Sequence, residues 1–382
     1  MVQVYFDHNA TTPLDDGVLA AMMPYMQAQF GNPSSRHGFG RIARQAVEEA
    51  REQVANAVGA HPSQVVFASG GTEANNLAIR GMSAALQPSQ VVWSSVEHPC
   101  VAKTCQSLKT QGWAMRPLAV DEAGRFDLND LAQALQVSTG LVCVMLANNE
   151  TGICQDVAEV ARQARAAGAW VHTDAVQALG KVRLNFAALG VHAMSLSAHK
   201  VYGPKGVGAL VLDKRVELIP QMTGGGHEKG LRAGTENVPG IVGFAAACGL
   251  AVGRMEQDEQ RIRLMRDELE AGVALLGGTI FGSSPQRLAN TSYFCFPGIE
   301  GETLLMALDR AGFAVASGSA CASGSTEPSA VLLAMGIEPE LARGAIRVSL
   351  GRGNSMQQIE EFIRVLRIEL ERLRALSAVS VM

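Results

Sequence analysis

Ser195-Leu-Ser-Ala-His-Lys-Val-Tyr-Gly-Pro-Lys-Gly206 runs an apolar, strand-like segment into a loop closed by Gly and Pro, with Lys200 at its mouth. A lysine at the end of a buried strand is poorly hydrated, which favours the neutral amine, a nucleophile able to form a Schiff base. A lone lysine is more often a solvated loop residue. Its neighbours argue otherwise here: Ser197 and His199 flank it with donors suited to a phosphate, and Val171-His-Thr-Asp-Ala-Val-Gln177 ends another strand with a carboxylate, Asp174. A lysine paired with a distant Asp suggests pyridoxal 5'-phosphate, which needs an amine for its aldehyde and an acid for its ring nitrogen.

Further upstream, Val65-Val-Phe-Ala68 is a buried strand that Ser69-Gly-Gly-Thr-Glu-Ala74 turns directly into a helix. Such a junction aims backbone N–H groups and the positive end of the helix dipole at an anion, although Gly-Gly-Thr is as often a simple capped turn. Strands and helices then alternate: Val91 to Ser94, a helix from Pro99, a strand near Met115, a helix from Leu128, Leu141 to Leu146, a helix from Val157, and Trp170 to Asp174. Continuous apolar strands with crossover helices predict an α/β fold, a mostly parallel sheet covered on both faces with ligands at the strand ends. Thr72, His98, Asn148, Asn149, Asp174, Gln177 and Ser197 to Lys200 all fall at such ends, which makes one shared pocket the expectation.

Outside this block, Leu14 to Gln29 reads as a helix, and Val4-Tyr-Phe-Asp-His-Asn-Ala-Thr-Thr-Pro13 as a short strand and a capped turn. Gly224 to Asn237 is a glycine-rich basic loop, flexible by composition, and Val238 to Leu276 a long helical region. Ser292 to Phe296 and Ile346 to Leu350 look like strands of a second unit, closed by a helix from Met356 to Leu376. We expect a large domain over 15–255 and a small α+β domain over 256–382, joined by the N-terminal segment 1–14. With 382 residues, 47% hydrophobic and 18% charged, and a net charge of −4, the chain fits a compact, mildly acidic protein with no call for nucleic acid. The N-terminus has no basic, apolar leader and no later run reads as a membrane span, so a cytoplasmic protein is expected. Seven cysteines without paired or zinc-ligand spacing suggest neither disulfides nor an intrinsic metal site. Cys321 stands apart in Ala316-Ser-Gly-Ser-Ala-Cys-Ala-Ser-Gly-Ser-Thr-Glu-Pro328, where small residues should leave the thiol mobile and accessible, a candidate nucleophile.

Together these stretches resemble the cysteine desulfurases of the nitrogen-fixation and iron–sulfur type, within the class-V aminotransferases. The resemblance spans nearly the whole chain and is carried by Asp7-His-Asn-Ala-Thr-Thr-Pro13, Gly31-Asn-Pro-Ser-Ser35, Gly71-Thr-Glu73, Glu97-His98, Ala147-Asn-Asn-Glu-Thr-Gly152, His172 to Gln177, Ser197-Ala-His-Lys200, Arg232-Ala-Gly-Thr-Glu-Asn237 and Ser317-Gly-Ser-Ala-Cys321. It implies the type I fold of pyridoxal-phosphate enzymes and a homodimer with sites at the subunit interface. The small domain would then contain the N-terminal segment. By matching motif, Lys200 would carry the cofactor, Asp174 pair with its ring nitrogen, and His98 stack on the ring. Gln177 and Asn148 would contact the ring oxygen, with Asn148 also touching substrate. Gly71, Thr72, Ser197, His199 and the partner's Thr235 would hold the phosphate. Arg347 would grip the substrate carboxylate, and Cys321 would take sulfur from L-cysteine as a persulfide, releasing L-alanine. The sulfur would pass to an acceptor or iron–sulfur scaffold protein, with Cys321 a transient cluster ligand. Two departures stand out: Ala198 where the family has Gly, and a chain that stops at Met382 without the longer tail of housekeeping members. A selenocysteine lyase, another pyridoxal-phosphate lyase or aminotransferase, and a non-catalytic sulfur carrier are the alternatives. The last two leave either Cys321 or the Lys200–Asp174 pair without a purpose.

Overall fold

The computed structural model describes residues 3–283, 286–317 and 327–380. From the N-terminus, β1 (Val4–Tyr5) leads to α1 (Asp16–Gln27), α2 (Gly38–Ala57), β2 (Val65–Ala68) and α3 (Gly71–Ala84). Alternation follows through β3 (Gln90–Ser94), α4 (Pro99–Ser107), β4 (Ala114–Leu118), α5 (Leu128–Ala134), β5 (Thr139–Cys143), α6 (Val157–Ala166), β6 (Trp170–Asp174), α7 (Phe186–Leu189), β7 (Ala193–Ser197) and β8 (Gly208–Leu212). The long α8 (Val238–Leu275) then leads to β9 (Thr279–Phe281), β10 (Thr291–Cys295), α9 (Gly301–Arg310), β11 (Phe313–Ala314), β12 (Ala316–Ser317), α10 (Ala330–Ala334), α11 (Pro339–Arg343), β13 (Ile346–Ser349) and α12 (Met356–Ser380).

Seven strands form one sheet in the order β2-β8-β7-β6-β5-β3-β4, parallel from β7 to β4, with β8 antiparallel to both its neighbours. Alternate side chains of each strand enter different cores, as the two-residue strand period requires. Val65 and Phe67 pack with α1, α2, α6 and the N-terminal half of α8, whereas Val66 and Ala68 pack with α3 and α4. Both faces are therefore dry, which is why these strands read as unbroken apolar runs. The run to Leu146 overshoots the pairing of β5, which ends at Cys143; Val144 and Leu146 continue as extended chain, donating N–H groups to His172 and Asp174 carbonyls of β6.

A second, antiparallel sheet, β12-β13-β10-β9, holds a separate core with α9, α12 and the C-terminal half of α8, from Ile262 to Val273. Phe6 is buried in that core, β1 pairs with β11, and His8 N–H donates to Ser349 O, so the N-terminal segment is built into the C-terminal unit. Helix α8 runs unbroken from one core to the other. Part of it is long and apolar enough to cross a membrane by composition, which the sequence reading did not anticipate; 56% of that stretch is buried inside the protein.

Candidate active site

The C-terminal ends of parallel strands bring the chain to one edge of the large sheet, where each strand hands over to a loop. A cavity of about 350 Å³ opens there, lined by Gly71, Thr72, His98, Asp174, Gln177, Ser197, His199, Lys200 and Arg347 among others. With Asn149, ten of the residues singled out from the sequence thus meet around one space. Ser317, the last residue of β12, also lines it; Cys321 lies outside the described residues.

Lys200, half-buried just past β7, donates from Nζ to the carbonyls of Asn9 (2.6 Å) and Ala10 (2.7 Å). On the adjacent strand, Asp174 is 6% exposed, and its carboxylate accepts from Val176 N–H (2.9 Å) and Asn75 Nδ2 (2.6 Å). Glu97 is also buried, accepting from Met145 N–H, and burial first and Asp174 second push its carboxyl well above the carboxylate range. His98 caps α4 by accepting from Cys100 N–H at Nδ1 (3.2 Å). Burial lowers the His98 pKa, with Asp174 opposing and Lys200 adding to the shift. His199, whose Nδ1 contacts Thr11 Oγ1 (3.2 Å), is lowered to about 4 by burial and by Lys200.

At the other end of the cavity, α3 begins at Gly71 without a side-chain cap, so its first-turn N–H groups have no intrahelical partner. A Cβ at Gly71 would lie 2.7 Å from Val176 Cγ2, so only glycine brings backbone this close. Ser197 Oγ is buried without a hydrogen-bond partner beside it. Unpartnered N–H groups at a helix start, a hydroxyl and a close glycine form a donor set that fits a phosphate, and Lys200 with Asp174 fits an aldehyde and a protonated ring nitrogen. Pyridoxal phosphate therefore matches the residues present. The methyl of Ala198 is buried in the core and does not line the cavity, so that departure leaves the donors unchanged.

Arg347, on β13, is 5% exposed and donates to Asn149 O (3.0 Å) and, as an ion pair, to Asp7 Oδ1 (2.7 Å); its Nε is buried without a partner. One expected residue is placed elsewhere. Asn148 does not line the cavity: its Oδ1 accepts from the N–H groups of Glu150 (2.8 Å) and Thr151 (2.9 Å), and its Nδ2 donates to Val96 O (3.0 Å). Asn149, expected at the same strand end, does line the cavity wall. Thr235 is exposed and does not line this chain's cavity.

Sequence reasoning missed Asn9, read only as part of a capped turn. Its side chain donates to Asn149 O and Thr291 Oγ1 and accepts from Asn290 and Lys181, while its carbonyl accepts from Lys200 and Gln177. Asn75 and Cys100 were missed as well; their spacing along α3 and α4 offered no signal. Nor is loop 224–237 loose: Glu228, 5% exposed, pairs with buried Arg51 (2.8 Å) and accepts the Phe67 N–H of edge strand β2 (2.8 Å). Arg232 pairs with Glu73 in the first turn of α3 (2.7 Å).

The family described as Aminotransferase class-V matches residues 4–362. The chain is 45% identical to a cysteine desulfurase of Bradyrhizobium diazoefficiens over 99% of this chain and 97% of that one. It is 42% identical to the cysteine desulfurase IscS of Dictyoglomus turgidum over 98% and 96% of the two chains. Among solved structures, a NifS-like protein superimposes with a TM-score of 0.92 at 36% identity over 97% of this chain and all of the other. A structure of SspA in complex with cysteine gives 0.80 at 33% identity over 91% and 98%. The chain belongs to the class-V aminotransferase family, alongside relatives named cysteine desulfurase.

Proposed function

We propose that this chain is a pyridoxal-phosphate-dependent cysteine desulfurase. The observation that carries the reading is the placement of Lys200 and Asp174 on neighbouring strand ends, across one cavity from the glycine-started α3 and the unpartnered Ser197 hydroxyl. Lys200 Nζ would hold the cofactor covalently, the Asp174 carboxylate its ring nitrogen, His98 its ring face and Gln177 its ring oxygen. Ser197, His199, Gly71 and Thr72 would hold the phosphate. When bound, the cofactor supplies an electron sink for the pair left when a Cα proton departs.

The protein's own groups do the rest. Lys200 Nζ, held between two carbonyls, would hold and return the Cα proton. Arg347, already oriented by Asp7 and Asn149, offers its unpartnered Nε to the substrate carboxylate. Cys321 receives the sulfur: the Cβ–S bond of cysteine breaks, an S–S bond to the Cys321 thiolate forms, and alanine and an enzyme persulfide result. In sequence Cys321 follows Ser317, which lines the cavity, by four residues. Loop 224–237 supports a homodimer, because anchoring by Glu228 and Arg232 holds an exposed Thr235 outward, ready for a second subunit's phosphate site. A sulfur-acceptor protein completes the cycle. The test is purification with cofactor, reduction with borohydride and peptide mapping, with alanine release from L-cysteine and persulfide on Cys321 measured in parallel. Label elsewhere than on Lys200, or alanine release unchanged in Cys321→Ser, rejects the proposal.

A further inference from the structure

Cys100 reads from the sequence as one more small buried hydrophobe, yet it lines the active-site cavity and bonds on two sides. Its Sγ lies 2.9 Å from His98 Nδ1 and accepts from Asn75 Nδ2 at 3.1 Å, while the same Asn75 Nδ2 reaches Asp174 Oδ2 at 2.6 Å. The backbone fixes the direction of the first bond. Cys100 N–H already donates to His98 Nδ1, so that nitrogen offers a lone pair and holds no proton. A thiolate accepting from a protonated Nδ1 is excluded by the same N–H, so the sulfur must be the donor. We propose that Cys100 is a positioning residue for His98: its S–H donates to Nδ1 and its sulfur accepts from Asn75, which holds the imidazole neutral with its proton on Nε2.

Two donors converging on Nδ1 leave no place for a second proton, because an imidazolium would have to expel both. The surroundings agree. Burial and Asp174 push the Cys100 thiol up to about 12, so the S–H persists across the working pH range. Of the titratable groups facing His98, Asp174 on β6 favours imidazolium and Lys200 after β7 opposes it; the carboxyl of Glu97, the preceding residue, is pushed well above the carboxylate range by burial. Cys100 thereby links the carboxylate expected under the ring nitrogen to the imidazole expected on the ring face, through Asn75.

The inference rests on reading the cavity as the cofactor site, but its test is made first on the cofactor-free chain, so the two can fail separately. Protein labelled with 15N-histidine is titrated as wild type, Cys100→Ser and Cys100→Ala, with the His98 resonances assigned by their loss in His98→Gln. The expected wild-type spectrum shows an unprotonated Nδ1 and a protonated Nε2. In Cys100→Ala the His98 midpoint rises by about one pH unit, whereas Ser, which keeps a donor, restores the wild-type midpoint. In loaded enzyme the acidic limb of the turnover profile shifts in the Ala variant and not in the Ser variant. A proton on Nδ1 in the wild type, or identical titrations in all three proteins, overturns the proposal. Should Cys100→Ala fail to fold, the wild-type tautomer and the Ser comparison still decide it.

Discussion

Asn148→Ala and Asn149→Ala separate structure from function at adjacent positions. Asn148 is 1% exposed, and truncating it leaves the N–H groups of Glu150 and Thr151 and the carbonyl of Val96 without the partners they have at 2.8, 2.9 and 3.0 Å. Each buried group left unsatisfied costs about 1–3 kcal/mol, so even at the low end the loss is about 3 kcal/mol. That is a large fraction of the roughly 5–15 kcal/mol by which a folded domain exceeds its unfolded chain. Asn149 is half-buried at the cavity wall, and its bonds to Asn9 and Arg347 run through its backbone carbonyl, which alanine keeps. Thermal unfolding of cofactor-free and cofactor-loaded protein, side by side, reads the difference. Asn148→Ala should unfold earlier in both forms. Asn149→Ala should match the wild type without cofactor and depart from it once loaded. If Asn148→Ala is as stable as the wild type but loses cofactor affinity, the placement of these two side chains is wrong.

Lys200→Ala should fold as the wild type does, take up no borohydride label and release no alanine over many turnovers; sustained turnover would dismiss Lys200 as the cofactor's amine. Glu228→Ala takes the buried partner from Arg51, leaving it exposed Glu48 and the Val65 carbonyl, and should cost about 3 kcal/mol, most of it recovered by Arg51→Met with Glu228→Leu, with denaturant midpoints as the measure. A midpoint within error of the wild type would mean that the pair does not anchor loop 224–237. Acid should destabilise the protein through His172, whose pKa burial lowers from 6.5 to about 3. The unfolded chain takes up that proton first, so the group's contribution is complete above the unfolded value and drains away as pH falls from there towards about 3, at up to about 1.4 kcal/mol per pH unit. Unfolding free energies measured across that range should fall less steeply in His172→Asn; equal slopes would refute it.

What could be read from the sequence follows from how local its causes are. Strands β2, β3, β6, β7 and β8 are buried on both faces and leave unbroken apolar runs, so their ends, with Asp174 and Lys200, were visible. Strands β9, β11 and β12 have two or three residues, too few for any period; β9 and β12 are set by the longer β10 and β13 beside them, and β11 by the equally short β1. Which of Asn148 and Asn149 faces the cavity is set by a turn in which the first caps its own loop, and the two are chemically identical. The glycine content of 224–237 suggested a loose loop because its anchor, Arg51, lies 177 residues away from Glu228. Asn9 joins the N-terminal segment to Thr291, Asn290 and Lys200, contacts that no pattern around residue 9 could encode.

The charges around the cavity explain why so many ionisable groups can share it. Glu97 and Asp174 are both buried carboxyls, and two negative charges in one low-dielectric site are costly, so burial and the Asp174 charge push the Glu97 carboxyl well above the carboxylate range. Val176 N–H and Asn75 Nδ2 both donate to Asp174, whereas Glu97 has one N–H donor and a second oxygen with no partner. His98 and His199 are held neutral by burial, and Arg347 is offset by Asp7. The charge that remains is arranged by position: the Asp174 carboxylate at the end of β6, the Lys200 amine just past β7, and a cluster of unpartnered donors at the start of α3. A ligand with a cationic nitrogen at one end and a phosphate at the other complements both. A ligand lacking the phosphate would leave the α3 N–H groups and Ser197 Oγ unsatisfied, and one lacking the cation would leave Asp174 buried and unpaired, a cost of several kcal/mol that no apolar contact in the cavity offsets.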